Sequence, residues 1–242
     1  MQHWPPRHKN TLVSPNNAGS VIATVATGTT TQLLAAPPAG YAWLISSWNV
    51  VNDDAALTLA YELTEDGNLV DGRAMTAAQI ASPGGGLGLT GALSMAVTGA
   101  GTSVTISLSY YRVRLTDFVM WRLALTDTFQ AVAAIVPPVG RASKFTSLNT
   151  GFSTLSVASP MYILNNDSAS TTVQVKITRG ATIITRTNGA VAANASRTTF
   201  SALSLPNLLP GDLVEIKAIV APVTADKVVV GGMVNLVPLL AA

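Results

Sequence analysis

Few residue types in this chain could do chemistry. The chain contains no cysteine, and its two histidines, His3 and His8, both lie near its start. A chain without cysteine has no thiol nucleophile and no thiolate zinc site. A Ser-His-Asp triad or a histidine-rich metal site in the body of the chain is also excluded. Composition therefore argues against most classes of enzyme, and we expect a protein without enzymatic activity.

Acidic residues are the remaining candidates for a site. Asp53 and Asp54 are adjacent in the sequence, whereas the two carboxyls of a glycosidase lie about 5 to 9.5 Å apart across a sugar. Capping of a turn is therefore the favoured role of this pair. Four other acids surround a predicted hairpin and could bind Ca²⁺, which prefers clustered oxygen ligands: Glu62, Glu65, Asp66 and Asp71. No loop has the Asp-x-Asp-x-Asp-Gly spacing of a calcium loop, so we expect neither a metal nor a cofactor.

Three aromatic residues, Tyr41, Trp43 and Trp48, could form a platform on which a sugar ring stacks. Alternate residues of a β-strand point to the same face. Trp48 then shares its face with Leu44 and is expected in the core, whereas Tyr41 and Trp43 lie on the opposite face with Ile45. We predict that this apolar outer face, formed by Tyr41, Trp43 and Ile45, is an interface covered by another domain or subunit. A glycan is the alternative ligand of the same aromatic residues.

The elements that must position these residues are predicted to be β-strands. Apolar and polar residues alternate with period two in several segments, which is typical of antiparallel sheets with one dry face. Segments rich in Gly, Pro and Asn separate these runs and predict turns. The alternating apolar residues are Leu57, Leu59, Tyr61 and Leu63; Val104, Ile106, Leu108 and Tyr110; Val173, Val175 and Ile177; and Val214, Ile216 and Ala218. Helical turns are expected only near 74–81 and, with a strand as the alternative, near 116–128.

Part of the chain occurs twice. Residues 48–64 align without a gap with residues 162–178. The matched positions include Trp48 with Tyr162, Asn52 with Asn166, and Asp53 with Asp167. Each copy predicts a strand, an Asn-Asp turn and an antiparallel return strand.

The repeat extends upstream, but at a different spacing. The sequence Pro-Pro-x-Gly at 37–40 recurs at 137–140, and this offset is about fourteen residues smaller than that of the aligned strands. We therefore predict a duplicated unit whose second copy carries an insertion of that size, within 144–158.

These observations predict an all-β chain with two tandem antiparallel β-sandwich domains, jelly-roll-like in type, and an extended N-terminal arm. The predicted parts are the arm at 1–20, the first sandwich at 21–115, a connector at 116–136 and the second sandwich at 137–242.

The arm is expected to bind a neighbouring subunit. Its two consecutive prolines disfavour a helix, and it lacks the apolar stretch of a secretory signal. Trp and Arg are residue types that anchor protein interfaces. The residues that we expect in such contacts are Trp4, Arg7 and His8 in the arm, and Phe118 and Trp121 in the connector.

The charge of the chain is low and balanced. Charged residues make up 11% and hydrophobic residues 48% of the sequence, with a net charge of +2, whereas about a quarter of a typical domain is charged. Nucleic-acid binding needs clustered Lys and Arg, and a membrane-spanning helix needs about 18 or more apolar residues in succession. We therefore expect no nucleic-acid or membrane partner. A surface with so few charges favours packing against other subunits, so we expect a homo-oligomer.

The chain resembles a family of tailed-bacteriophage virion proteins that carry tandem β-sandwich modules. The resemblance rests on a Thr-rich strand with a Pro-Ala-Gly turn at 29–40, an aromatic strand at 43–52 and an alternating return strand at 57–64. It implies a structural role in a virion, assembled in the cytoplasm of a bacterial host, with the major capsid protein or other virion proteins as partners. The expected function is capsid decoration or cement. The alternatives are a head-fibre, neck or tail protein that binds a receptor or glycan, and an enzyme that degrades host polysaccharide.

Overall fold

The computed structural model describes residues 18–81, 87–115, 118–146, 161–199 and 205–238. Within these ranges the chain forms β-strands and one short 3-10 turn, Ala133–Ile135. The strands of the first half are β1 (Ala18–Ala26), β2 (Thr30–Leu34), β3 (Tyr41–Asn52), β4 (Leu59–Glu65), β5 (Asn68–Met75), β6 (Ile80–Ala81), β7 (Leu87–Leu89), β8 (Leu93–Gly99) and β9 (Ser103–Arg114). The strands of the second half are β10 (Phe118–Ala124), β11 (Gln130–Ala131), β12 (Arg141–Thr146), β13 (Met161–Asn165), β14 (Val173–Arg179), β15 (Thr182–Thr187), β16 (Ala195–Thr199), β17 (Leu213–Ala218) and β18 (Val228–Pro238).

Both halves have the same strand order. In the first half, one sheet has the order β1-β9-β3-β6, with β7 also paired to β3, and the other has the order β2-β8-β4-β5. In the second half, the sheets are β10-β18-β13-β16, with β12 also paired to β18, and β11-β17-β14-β15. If β7 is set aside and β12 and β13 are counted as one strand, each half has the orders 1-8-3-6 and 2-7-4-5. This is the arrangement of an eight-stranded jelly roll, so the prediction of two tandem antiparallel sandwiches is confirmed.

The third strand distinguishes the two jelly rolls. In the first it is the single long strand β3, paired with β9 from Tyr41 opposite Arg114 onward. In the second it is divided into β12 and β13, which both pair with β18, and Arg141 lies opposite Pro238. Residues 147–160 separate the two pieces and lie outside the described residues. The second copy therefore carries the insertion that the sequence predicts, slightly further along than the predicted window.

A pair of buried asparagines corrects the alignment of the two copies. Asn52 and Asn165 each end the third strand, are buried, and accept a hydrogen bond from the backbone two residues on. Their amide groups donate to the carbonyls of Leu57 and Thr76 in the first jelly roll, and of Ala169, Val191 and Ala192 in the second. Asn52 therefore corresponds to Asn165, and Trp48 corresponds to Met161. The predicted match of Trp48 with Tyr162 is wrong by one residue, because the turn after Asn165 is one residue longer.

Each jelly roll has its own core, formed by alternating residues of its two sheets. The predicted strand faces are confirmed: Leu59, Tyr61 and Leu63 lie in the first core, and Val173, Val175 and Ile177 occupy the corresponding positions of the second. Leu57, which the alternation also assigned to the dry face, lies before β4 and is exposed. The strands in each core are amphipathic because one sheet face packs against the other sheet while the opposite face is turned outward.

The segment predicted as a connector belongs to the second jelly roll. Within 116–136, β10 pairs with β18 and β11 pairs with β17. Phe118 begins β10, and Trp121 is buried in the second core instead of making contacts from a connector. The helical turn expected near 74–81 is wrong, because β5 extends to Met75 and residues 77–78 form a turn, whereas near 116–128 the alternative, a strand, is confirmed by β10. Sheet pairing of β10 along the long strand β18 overrides the weak local helical pattern.

Candidate functional site

The predicted site residues do not converge on one place. Trp4, Arg7 and His8 lie outside the described residues. Among the hairpin acids, Asp71 is buried and accepts a hydrogen bond from the hydroxyl of Tyr61, at 3.1 Å. Asp66 accepts one from a backbone N–H of the next loop, and the side chains of Glu62 and Glu65 are directed towards the second jelly roll. The part of the chain that the structure describes contains no cluster of three or more His, Asp or Glu side chains that could hold a metal ion.

The predicted apolar outer face is wrong, because a β-bulge changes the side to which β3 residues point. The register of β3 against β9 shifts between Ile45 and Ser47. A bulge adds one residue to a strand and so reverses the alternation beyond it. Ile45 is therefore fully buried in the first core together with Trp48. The outward residues of this part of β3 are instead Ala42 and Leu44, and they are covered within the chain by Met120 of β10.

The two remaining aromatic residues of that face are occupied by contacts within their own jelly roll. The indole N–H of Trp43 donates to the carbonyl of Ala35 at 2.7 Å, and its ring meets the edge of Tyr110 with centroids 5.1 Å apart. The guanidinium of Arg112 lies 5.0 Å from the centroid of the Tyr41 ring. These contacts fix both rings against the protein, which leaves them poorly arranged as a stacking platform for a sugar.

The site that the tertiary structure builds is the junction between the two jelly rolls. Its apolar part is a small cluster in which Leu69 of β5 packs against Leu164 of β13, Val229 of β18 and Ala124 of β10. Leu164, Val229 and Ala124 lie side by side across the outward face of the second jelly roll, because their strands are paired in register there. The edge strand β5 of the first jelly roll is therefore buried under a sheet face of the second.

A buried ion pair lies beside this cluster. The guanidinium of Arg122 on β10 contacts the carboxylate of Glu65 at 2.5 Å, and both side chains are largely buried. Glu65 also accepts hydrogen bonds from the backbone N–H groups of Thr90 and Gly91. Burial lowers the pKa of Arg122, but Tyr162 and Glu65 outweigh it, so the pKa of Arg122 is raised and its guanidinium stays charged. The desolvation of the two charges is compensated by this complete set of partners.

Tyr162 connects the ion pair to the first core. Its hydroxyl accepts a hydrogen bond from Nε of Arg122 at 3.2 Å, and its ring packs against the core of the first jelly roll. Gly231 on the neighbouring strand leaves the space for this ring, because a Cβ there would lie 2.5 Å from the Tyr162 hydroxyl oxygen. The one-residue change in alignment explains the placement: Tyr162 points out of its own sandwich and into the junction.

A second, more exposed group of polar contacts borders the junction. Glu62 on β4 accepts hydrogen bonds from the Lys227 ammonium and from the amide of Asn166, the latter at 3.0 Å. A cleft of about 520 Å³ opens between these residues, and Arg122 and Asp226 also line it. Exposed ion pairs of this kind contribute little to stability, but they fix the register of the two surfaces.

The corresponding charged side chains of the second jelly roll remain within that jelly roll. Arg179 forms a two-pronged ion pair with the buried carboxylate of Asp212, at 2.8 and 2.7 Å. The hydrogen bonds from Arg179 are the main cause of the lowered pKa of Asp212, and a backbone N–H from Leu209 adds to it. Lys176 pairs with Glu215 at 2.6 Å. The two jelly rolls thus use equivalent positions of one fold differently.

Sequence reasoning missed the junction, although one signal pointed to it. Arg122 stands in a segment of alternating large residues, Glu62 stands on the outer side of a predicted strand pair, and Glu65 is an acid at the end of the dry face of the same strand. Only the packing of two distant parts of the chain shows that these charges neutralise one another. No helix among the described residues is long and apolar enough to cross a membrane.

Comparisons with known proteins do not assign the chain to a family. No family model matches it, and a search of curated proteins finds no match. One solved structure, titled "Crystal Structure of Lactobacillus farciminis Oxalate Decarboxylase Formate Complex", aligns over 91% of this chain and 80% of that chain, with 7% identity and a TM-score of 0.16. A likeness this low carries no argument about function.

Proposed function

We propose that this chain is a non-enzymatic structural protein of a virus particle, which acts in the capsid by forming contacts between subunits. The observation that carries the proposal is the tandem jelly roll, in which two copies of one strand order are joined by a buried junction. Jelly rolls are a common architecture of viral capsid domains, and they also occur in lectins and cupins. The mechanism is mechanical: apolar surface is buried at the contacts between neighbouring units.

The composition of the surface supports the same role. Only 11% of the residues are charged, and several large aliphatic side chains are exposed in both jelly rolls. At about 25 cal/mol per Å², a contact that buries about 1,500 Å² of mostly apolar surface can offset the cost of association. Many copies in one particle then multiply a weak contact.

The virion location, the bacterial host and the decoration role follow from the resemblance and belong to this proposal. Tyr41 and Trp43 are engaged within the chain, which disfavours the glycan-binding alternative. The hairpin acids point in different directions, which disfavours the polysaccharide-degrading alternative.

Cryo-electron microscopy of intact particles from the virus that encodes this chain tests the proposal. We expect many symmetry-related copies in the capsid layer, either forming the shell or bound on the shell of another protein. A chain that is absent from purified particles, or that occurs only in a neck or tail, would contradict the proposal. The predicted arm, 1–20, overlaps β1 by three residues, so the test deletes residues 1–17 and leaves β1 whole. This deletion is expected to lower the temperature at which such particles release their contents.

A further inference from the structure

Because the fold is duplicated, one surface occurs twice in the molecule. The described residues cover only one of its two copies. The aligned strands β4 and β14 bring Thr64 into correspondence with Thr178, and these residues lie opposite Leu69 and Ile183. Ile183 on β15 is therefore the counterpart of Leu69 on β5. Leu69 is 7% exposed because the second jelly roll covers it, whereas Ile183 is 64% exposed.

The surface that covers Leu69 also occurs twice. Because Asn165 corresponds to Asn52, Leu164 corresponds to Val51. In each jelly roll, the two strands next to this position pair with it in the same register. The correspondence therefore extends to the residues opposite on those strands, which form a row across the sheet. The counterparts of Leu164, Val229 and Ala124 in the first jelly roll are Val51, Thr105 and Thr24.

No described residue of the second jelly roll covers this row of the first. Thr24 is exposed and Val51 is partly exposed. Two exposed isoleucines stand on the same sheet face: Ile80 lies opposite Val51 on the edge strand β6, and Ile22 lies on the edge strand β1. The outward face therefore combines small hydroxyl side chains with exposed aliphatic ones, and the carboxylate of Asp53, which accepts hydrogen bonds from Ser103 and Thr105, stands beside this row.

We infer that the chain associates with a second copy of itself, head to tail, through these two surfaces. The edge strand β15 of one copy, with Ile183, lies on the outward face of β1, β9, β3 and β6 of the next copy. The contact repeats between chains the junction that already exists within the chain. It joins two different surfaces, so it either closes into a ring or continues along a row of copies.

Charge supports the same pairing. Within the chain, Glu62 contacts Asn166 and Lys227. The counterpart of Glu62 is Lys176, and the counterpart of Asn166 is Asp53, which is exposed. Lys176 lies on β14, beside the edge strand, and carries the opposite charge to Glu62, while Asp53 is an acid where Asn166 is neutral. In the free chain Lys176 pairs with Glu215, and Asp53 accepts hydrogen bonds from the hydroxyls of Ser103 and Thr105. The contact brings these two surfaces of opposite sign together.

Single cysteines in the full chain test this contact, because the natural sequence contains none. Ile183→Cys and Val51→Cys are purified separately, mixed and oxidised. We expect a disulfide-linked dimer in the mixture and none with either variant alone. A dimer of Ile183→Cys with itself would indicate a twofold contact and would overturn the inference. The doubly substituted chain Leu69→Cys, Leu164→Cys calibrates the reaction through the junction within the chain.

Sedimentation of the unmodified chain gives an independent measurement. We expect a mass that rises with concentration, and Ile183→Lys should weaken the association at least about tenfold, because it places an unpaired charge in the contact. Val139→Lys is the matched control: Val139 is 93% exposed but lies in a turn outside both surfaces. A chain that stays monomeric at high concentration, or an equal effect of the two lysine substitutions, would overturn the inference.

This inference extends the proposed function but does not need it, since the measurements use the isolated chain. A chain that associates in this manner and is absent from virions would retain the contact and lose the proposed function. A chain that is found in the capsid but forms no disulfide-linked dimer in the cysteine experiment would retain the proposed function and lose the contact.

Discussion

The two jelly rolls share one topology but differ in how their outer surfaces are used. In the first, the edge formed by β4 and β5 is closed by the second jelly roll, with Leu69 and Glu65 buried in the junction. In the second, the equivalent edge formed by β14 and β15 is open, and Arg179 pairs within its own jelly roll. Duplication of the fold therefore produces two copies of the edge and two copies of the outward sheet face. The junction within the chain covers one edge and one sheet face.

The outward sheet faces of the two jelly rolls also differ, one being covered in the junction and the other not. The face of the second jelly roll that meets β5 carries Tyr162, Leu164 and Val229, whereas the equivalent positions of the first carry Asn49, Val51 and Thr105. The aromatic and larger aliphatic residues thus occur on the sheet face that is buried in the junction within the chain. At these three positions the outward face of the first jelly roll therefore has smaller or more polar side chains.

The largest expected effect concerns the feature that the two jelly rolls have in common. Asn52→Ala and Asn165→Ala each leave several buried backbone groups without a partner, and each should lower the free energy of unfolding by about 4 kcal/mol. Urea denaturation followed by tryptophan fluorescence measures this. The exposed Asn207→Ala serves as the control, and a clear difference between the two buried sites would show that the turns are not equivalent.

The next largest effect is expected from the two ion pairs of the junction, which differ in burial. Arg122→Ala leaves Glu65 buried without its counter-charge and should cost about 3 kcal/mol. Lys227→Ala removes an exposed ion pair at the edge of the same junction and should cost less than about 1 kcal/mol. The same urea experiment measures both. A coupling energy near zero between Arg122→Ala and Glu65→Gln would contradict the role given to the buried pair.

Substitution of the equivalent residues Leu69 and Ile183, on the two edges, is expected to change the stability by a smaller amount. Leu69→Ala removes buried methyl groups from the junction and should destabilise the chain by about 2 kcal/mol. Ile183→Ala changes an exposed residue and should alter the stability of the dissociated chain by less than about 0.5 kcal/mol. Thermal unfolding of dilute samples compares the two variants. Equal effects would mean that the junction does not protect Leu69.

The smallest expected effect is the dependence on pH that arises from one ion pair of the second jelly roll. The pKa of Asp212 is lowered by Arg179, so its carboxylate stabilises the folded chain above the pKa of the unfolded state, near 4, and this contribution is lost as the pH falls through the lower folded pKa. Asp212→Asn should therefore flatten the loss of stability in acid. Arg179→Met should do the same, and the double variant should add nothing further. Unchanged acid sensitivity in either variant would contradict the assignment.

Several features of the fold could be predicted because they are local or periodic. Alternation identified the buried faces of β4 and β14, for example Tyr61 and Val175, since a strand with one dry face imposes period two on its sequence. The change in offset between the repeats predicted the insertion in the third strand of the second jelly roll. A difference in spacing is visible in a sequence even when the inserted residues are not conspicuous.

The errors have a common origin in single-residue shifts. The bulge after Ile45 and the longer turn after Asn165 each displace the alternation by one position. One residue is enough to move Ile45 from the predicted outer face into the core, and to place Tyr162, which the sequence aligned with Trp48, in the junction. Bulges and turn lengths depend on the partner strand, which a pattern along one segment does not contain.

The sequence by itself determined the all-β class, the turns, the duplication and the low charge, because each is a property of neighbouring residues or of overall composition. Only the tertiary structure decided which faces meet. Glu65 and Arg122 are far apart in the chain, and their pairing depends on the packing of two complete sheets. The same packing decides that Leu69 is covered and Ile183 is open, although both occupy one position of one repeated fold.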